Sequence, residues 1–177
     1  MSATENNPSS SNYLTSNKFR FTLKRAPNIN FFLTKCNLPA VSAGTAMQLT
    51  PFVDIPLPGQ EFKYSPLEIT FFVNEGMDNY LEIFNWMRAI AGSDNLEDYA
   101  PLKNQPGWSP YGLASEVVVH ILNSSNVPQV EVTFHDAWPA GMTEVNFDST
   151  LDTANYAQVG AAFMYRSFDF QILTTSK

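Results

Sequence analysis

The chain has 177 residues, 44% of them hydrophobic and only 15% charged, with 14 Phe, 7 Tyr and 3 Trp; this is one domain's length with ample packing volume, which excludes two full domains and a disordered chain. The 17 Asp and Glu against 10 Lys and Arg give a net charge of −7, which opposes tight binding along a phosphate backbone and excludes a groove-reading DNA-binding protein. Cys36 is the only cysteine, so an internal disulfide and a cysteine-rich zinc site are excluded.

No apolar run reaches the ~20 residues of a membrane span. The polar start lacks the basic and apolar regions of a signal peptide, so neither membrane insertion nor secretion by that route is expected, and the chain suits a reducing interior. Residues 1–16, mostly Ser, Asn, Thr and Pro, are too poor in apolar groups to offset their ordering entropy and read as a flexible N-terminal arm. Residues 17–177 then form one domain. From Lys18 the chain alternates, with Phe19, Phe21 and Leu23 on one face, which is strand periodicity. A turn at 25–28 and a second strand from Ile29 to Leu38, ended by Pro39, complete an expected N-terminal hairpin.

Residues 41–66 read as a long projecting hairpin. Prolines at 51, 56 and 58 cannot donate to a ladder, so Phe52 to Leu57 suits an edge strand or extended arm, with Pro58 and Gly59 as turn chemistry and Glu61 to Tyr64 as the return strand. The apolar and aromatic residues of this arm, Phe52, Val53, Ile55, Leu57, Phe62 and Tyr64, are candidate contacts between subunits, since a proline-interrupted segment is hard to bury as a central strand and an oligomer hides such surface. Leu67 to Val73 alternates clearly, with Leu67, Ile69, Phe71 and Val73 inward and Phe72 outward.

One helix is expected over Met77 to Ala91. Tyr80, Leu81, Phe84, Met87 and Ala91 recur at helical steps while Asp78, Asn79, Glu82 and Asn85 are polar, and Gly92 fits the left-handed stop. Ile83, Trp86 and Ile90 widen the stripe, so the helix packs on a sheet and also meets something else. Residues 93–114 read as a long polar loop. Glu116 to Leu122 and Gln129 to Phe134 make a hairpin with Val117, Val119 and Ile121 facing Val130, Val132 and Phe134. A turn at 138–141, a short strand from Glu144 to Phe147, and one long segment from Tyr156 to Ile172 follow. In that segment the apolar parity shifts from Val159, Ala161, Phe163 and Tyr165 to Phe168, Phe170 and Ile172, which predicts a bulge near Arg166 and Ser167.

Catalytic signatures are missing. The sequence has no nucleophile-elbow, phosphate-loop, dinucleotide or zinc-protease motif. His120 and His135 have no third ligand at a recognisable spacing and read as surface or edge histidines; Cys36 reads as an apolar filler; the acidic run 94–98 lacks the glycine and distal glutamate of a calcium loop. No enzyme activity, cofactor or metal is expected. The Asn123 to Ser125 glycosylation pattern carries little meaning without a secretory signal. The fold class follows: mainly β, a small antiparallel β-sandwich or half-barrel with one flanking α-helix.

The order of features resembles the tail tube proteins of contractile-tailed bacteriophages, a family related in fold to the type VI secretion tube protein. The resemblance rests on Phe19-Arg-Phe-Thr-Leu23, on Cys36-Asn-Leu-Pro-Ala40, and on the arm through Pro58-Gly59 to Leu67-Glu-Ile-Thr-Phe71. It continues with Val73-Asn-Glu75 leading into Ile83-Phe-Asn-Trp86, with Phe134-His-Asp-Ala-Trp-Pro139, and with the long final strand. It implies copies that complete an inner β-barrel in a six-fold ring, rings that stack, and an arm over 51–64 that touches the neighbouring ring. It further implies sheath, baseplate hub or neck proteins as partners, an acidic lumen through which DNA passes without specific binding, and a location in the virion tail after synthesis in the host cytoplasm. The main expectation is a tail tube protein that conducts DNA. A tube initiator at the hub or a terminator at the neck is the nearest alternative, and a stand-alone β-sandwich binding module stands apart from both.

Overall fold

A computed structural model of the protein describes residues 12–91, 113–148, 150 and 156–173. Within these the element order is β1 (Phe19–Leu23), α1 (Pro27–Phe32), β2 (Leu33–Cys36), β3 (Val41–Gln48), β4 (Ile55–Tyr64), β5 (Leu67–Phe72), α2 (Asp78–Ala91), β6 (Ser115–Leu122), β7 (Pro128–Met142), β8 (Gln158–Met164) and β9 (Ser167–Ile172). The architecture is mainly β and antiparallel. Seven strands form one sheet in the order β1-β6-β7-β8-β5-β2, with β9 also on β7, while β3 and β4 pair only with each other.

The strongest alternating segments fold as their period dictates. Val117, Val119 and Ile121 of β6 lie opposite Phe134, Val132 and Val130 of β7, and Leu67, Ile69 and Phe71 are buried on β5 opposite Phe163, Ala161 and Val159 of β8. These inward faces and α2 enclose one core, centred on Phe71, Trp86, Phe134 and Phe163. Burying each of these large side chains is worth about 1.5–3 kcal/mol against leaving it in water.

The N-terminal hairpin does not form. β1 pairs with β6 and β2 with β5, at opposite ends of the sheet order, and residues 27–32 are helical. A short apolar run such as Ile29 to Leu33 fits either period, and Pro27 is preset for the first helical turn. Asn30 also stops β1: its Oδ1 accepts from Leu23 N at 2.8 Å and its Nδ2 donates to Leu23 O at 3.4 Å. Ile29 anchors α1 in the core.

Helix α2 lies where the spacing predicts it, yet turns a different face inward. Ile83, Trp86, Ala89 and Asn79 are buried, whereas Leu81 and Phe84 are exposed. Asn79 is buried because its amide ties the end of β5 to the start of the helix: Nδ2 donates to Phe72 O at 2.7 Å and Oδ1 accepts from Asn74 N at 3.3 Å. A buried amide with both ends satisfied costs little. Gly92, the polar loop expected over 93–114 up to residue 112, and the acidic run 94–98 lie outside the described residues.

Strand β7 continues through 138–141 instead of turning. Pro139 lies opposite Phe163, and the register slips between Pro139 and Gly141, so the proline and glycine mark a bulge inside a strand. No strand forms over 144–147; the ladder ends when Thr143 N bonds Gly160 O at 2.8 Å. The expected segment 156–172 is interrupted at 165–166, near the anticipated bulge, dividing it into β8 and β9. Both run antiparallel to β7, which bends at Asp136, a residue with φ 53°. The N-terminal arm falls mostly outside the described residues; residues 12–16 are exposed and carry neither helix nor strand.

Candidate assembly surface

The arm is built as an extension of the sheet. Cys36 lies opposite Ile69, Ser65 N bonds Ala40 O at 3.0 Å, and Val41 lies opposite Tyr64 in the same register. The β2–β5 ladder therefore runs straight into β3–β4, making one ribbon rooted in the core and, among the described residues, paired only within itself at its far end. Asn37 reinforces the root, accepting from Glu68 N at 2.7 Å and donating to Pro66 O at 3.3 Å. Tyr165 Oη donates to Ser65 O at 2.8 Å; burial, with Tyr64 alongside, raises its pKa above the ordinary phenol value, so it keeps the proton it donates.

The turn lies at 49–54, not at Pro58 and Gly59. Thr50 Oγ1 donates to Val53 O and accepts from Val53 N at 3.1 Å, which pins the tip. Pro56 and Pro58 sit within β4 opposite Met47 and Thr45. They fit because, in a two-stranded ribbon, alternate residues point their N–H outward, where proline loses no ladder bond. Gly59 is needed for closeness: a Cβ there would stand 2.7 Å from the Gly44 backbone, at the bulge between Ala43 and Thr45. The same prolines keep the outer edge of β4 from accepting another strand. The arm is thus equipped to make contacts through side chains.

All six residues predicted from the sequence lie on this ribbon and all are exposed. Phe52 and Val53 occupy the tip, and Phe52 is 94% exposed. Ile55 and Leu57 share one parity of β4, opposite Gln48 and Ala46, whereas Phe62 and Tyr64 lie beyond the bulge opposite Ala43 and Val41. Tyr64 turns back to the body, its ring 5.8 Å from Tyr165 and 5.5 Å from Phe168. The structure therefore divides the six into tip, flank and root.

Further apolar surface lies elsewhere. Phe170 and Ile172, which carry the apolar parity after the shift, are exposed on β9. Leu81, Phe84 and Phe31 are exposed on the two helices. The signal for the α2 residues was already present as an apolar stripe too wide for one contact. No comparable signal marks β9.

Other candidates have local partners. His120 Nε2 lies 3.1 Å from Glu131 and His135 Nε2 lies 3.0 Å from Asp169, so each pairs with a carboxylate on the neighbouring strand and the two do not converge. Among the described residues no group of three or more His, Cys, Asp or Glu is placed to hold a metal ion, and no described helix is long and apolar enough to cross a membrane. Cys36 packs against the core, and burial pushes its thiol up to about 12. It is therefore expected to resist alkylation by iodoacetamide at pH 8 in the folded protein and to react once the chain is unfolded in urea, as read by mass shift.

Comparison with known proteins gives this surface its context. A family model described as phage tail tube protein matches residues 6–171. The tail tube terminator protein of Enterobacteria phage T4 is 25% identical over 115 residues, covering 64% of this chain; the matched stretch spans 60% of that relative's length. Among solved structures, the anti-feeding prophage tube-terminating cap superposes with a TM-score of 0.66 at 16% identity, covering 98% of this chain and 100% of the other. A chain from the sheath-tube complex of the PVC extracellular contractile injection system gives 0.56 at 13% identity, covering 98% and 99%. These structural likenesses concern the fold alone. Taken with the mainly β architecture and the projecting ribbon, the family match over most of the sequence establishes that this chain belongs to the phage tail tube protein family and is a tube-fold structural component of the virion tail.

Proposed function

We propose that the chain forms a ring that closes the end of a contractile phage's tail tube. The carrying observation is its sequence relationship to a tail tube terminator, supported by end-to-end coverage of a tube-terminating cap. The geometry suits a ring. β1, β6, β7 and β9 form an antiparallel sheet with β1 and β9 at its two edges. The alternation of strand direction leaves β9 of one copy antiparallel to β1 of the next, so head-to-tail pairing continues the sheet, and such heterologous contacts close into rings. Phe52, Val53, Ile55, Leu57, Phe62 and Tyr64 then serve contacts between subunits or with the adjoining tube ring.

The outward face of this four-stranded sheet suits the wall of a DNA channel. Lys18, Arg20 and Lys24 stand against Glu116, Glu131 and Asp169, and each of these carboxylates has a partner: Lys24 at 2.9 Å, His120 and His135. A balanced, internally paired face holds a passing phosphate backbone weakly. On this reading the face is balanced, because Asp54, Glu61, Glu68, Glu75, Asp78 and Glu82 lie outside these four strands.

Copy number tests the proposal. Quantitative mass spectrometry of virions, with imaging of labelled protein, is expected to find one ring's worth of copies at the end of the tube next to the head. Copies stacked along the whole tube would restore the main-tube reading, a ring at the opposite end would make the chain an initiator, and a protein absent from virions that stays monomeric when purified would favour a stand-alone module.

A further inference from the structure

The ribbon tip and an apolar cavity on the body are complementary to each other. The tip carries Phe52 beside Leu49 and Val53, all well exposed, and the Thr50–Val53 bonds hold this turn in shape. The cavity, about 530 Å³, is lined by Ile90 from the end of α2, by Leu113 and Ala114 before β6, and by Trp138 on β7, with the Asp136–Arg166 ion pair at 3.2 Å on its border. Its volume lies in the roughly 300–1,000 Å³ range of binding pockets, and its apolar lining favours an aromatic or aliphatic occupant.

We infer that Phe52 of one copy docks in the cavity bordered by Ile90, Leu113, Ala114 and Trp138 of a second copy. Two observations select a second copy as occupant. First, β3 and β4 pair only with each other and carry the tip about 25 Å beyond the ribbon root, at ~3.3 Å per residue, which takes Phe52 away from the body of its own chain. Second, the chain that supplies the cavity also supplies a preformed tip of matching apolar character, and a tip-to-cavity contact between identical chains is head-to-tail, the symmetry of a ring or stack. The buried aromatic supplies most of the affinity of such a contact.

This inference rests on the proposed assembly of copies, and cross-linking separates the two. In a Cys36→Ser background, chains carrying Phe52→Cys are mixed with chains carrying Trp138→Cys, or with chains carrying Leu113→Cys in case the tryptophan is needed for folding. Mild oxidation is expected to give a disulfide-linked pair, and Thr133→Cys, which does not line the cavity, is expected to give none. Phe52→Asp in the otherwise unchanged chain is expected to weaken self-association about tenfold or more, and Phe52→Trp to retain it. Rings that form without a link to 113 or 138 overturn the docking and leave assembly standing. A wild-type chain that forms no oligomer at any concentration overturns both.

Discussion

Ile55→Asp combined with Leu57→Asp leaves the domain folded and abolishes its stacking on a neighbouring ring. Both residues are exposed on β4, outside the core, so each exchange shifts the stability of the isolated chain by about 0.5 kcal/mol or less. In an assembled contact the same carboxylates are buried against apolar surface without a partner. An unpaired buried charge costs about 3–5 kcal/mol, and the cost recurs at every copy around a ring. Thermal unfolding of the double variant is expected to match that of the parent, while negative-stain images show loss of stacked particles and of attachment to tube ends. The proline-guarded edge of β4 directs the test to side chains, since strand addition is blocked there whatever residues stand at 55 and 57. Stacking that survives both charges rejects the assignment of the arm as a contact surface.

Trp86→Ala carries the largest expected loss of stability. Trp86 is 2% exposed and lies at the centre of the core: its ring is 6.0 Å from that of Phe163, the Arg25 guanidinium stands 4.8 Å over it, and Nε1 donates to Leu113 O at 2.9 Å. Truncation removes the ring's packing, leaves a cavity, uncovers a cation and orphans a carbonyl. Large aromatic truncations alone cost about 3–5 kcal/mol, a large part of the roughly 5–15 kcal/mol that holds a domain together. Urea unfolding is expected to show this as a lower midpoint with the denaturant slope nearly unchanged. Trp86→Phe keeps an aromatic ring but not the donor, so it should recover more than half of the loss. An alanine variant within 1 kcal/mol of the parent would show that α2 is not clamped to the sheet through this residue.

Because Leu113 also borders the proposed docking cavity, Trp86 links stability to assembly. Its indole holds the Leu113 carbonyl, and Leu113 with Ala114 forms the cavity wall next to β6. The conservative Trp86→Phe variant separates the two roles, since it retains much of the core while removing the bond that fixes that wall.

Several features were legible because they depend on local period. Alternation at 67–73, 116–122 and 129–134 specified strands and inward faces, since a one-residue slip would expose the whole apolar set. The parity change near Arg166 marked the break between β8 and β9. The arm was legible through a conflict: prolines that forbid a central strand alternate with apolar residues that do not belong in a solvated loop. Residues 27–32 were misread because five or six apolar and polar residues cannot distinguish a period of two from one of 3.6. Trp138 to Gly141 was misread because proline and glycine serve turns and bulges alike.

The sequence by itself determined that this protein is mainly β, that one amphipathic helix crosses its middle, and that an apolar ribbon projects from it; each of these is written within a dozen residues, at a scale where side-chain period and proline chemistry act directly. Only the tertiary structure decided that β1 joins β6 instead of β2, that α2 buries Asn79 and Trp86 instead of Leu81 and Phe84, and that β1 and β9 stand at the edges of their sheet among the described residues. Those choices depend on which distant segments meet, and strand pairing is made by backbone groups common to every residue. Partner identity is therefore set by the fit of the whole core, which no short stretch of the chain encodes.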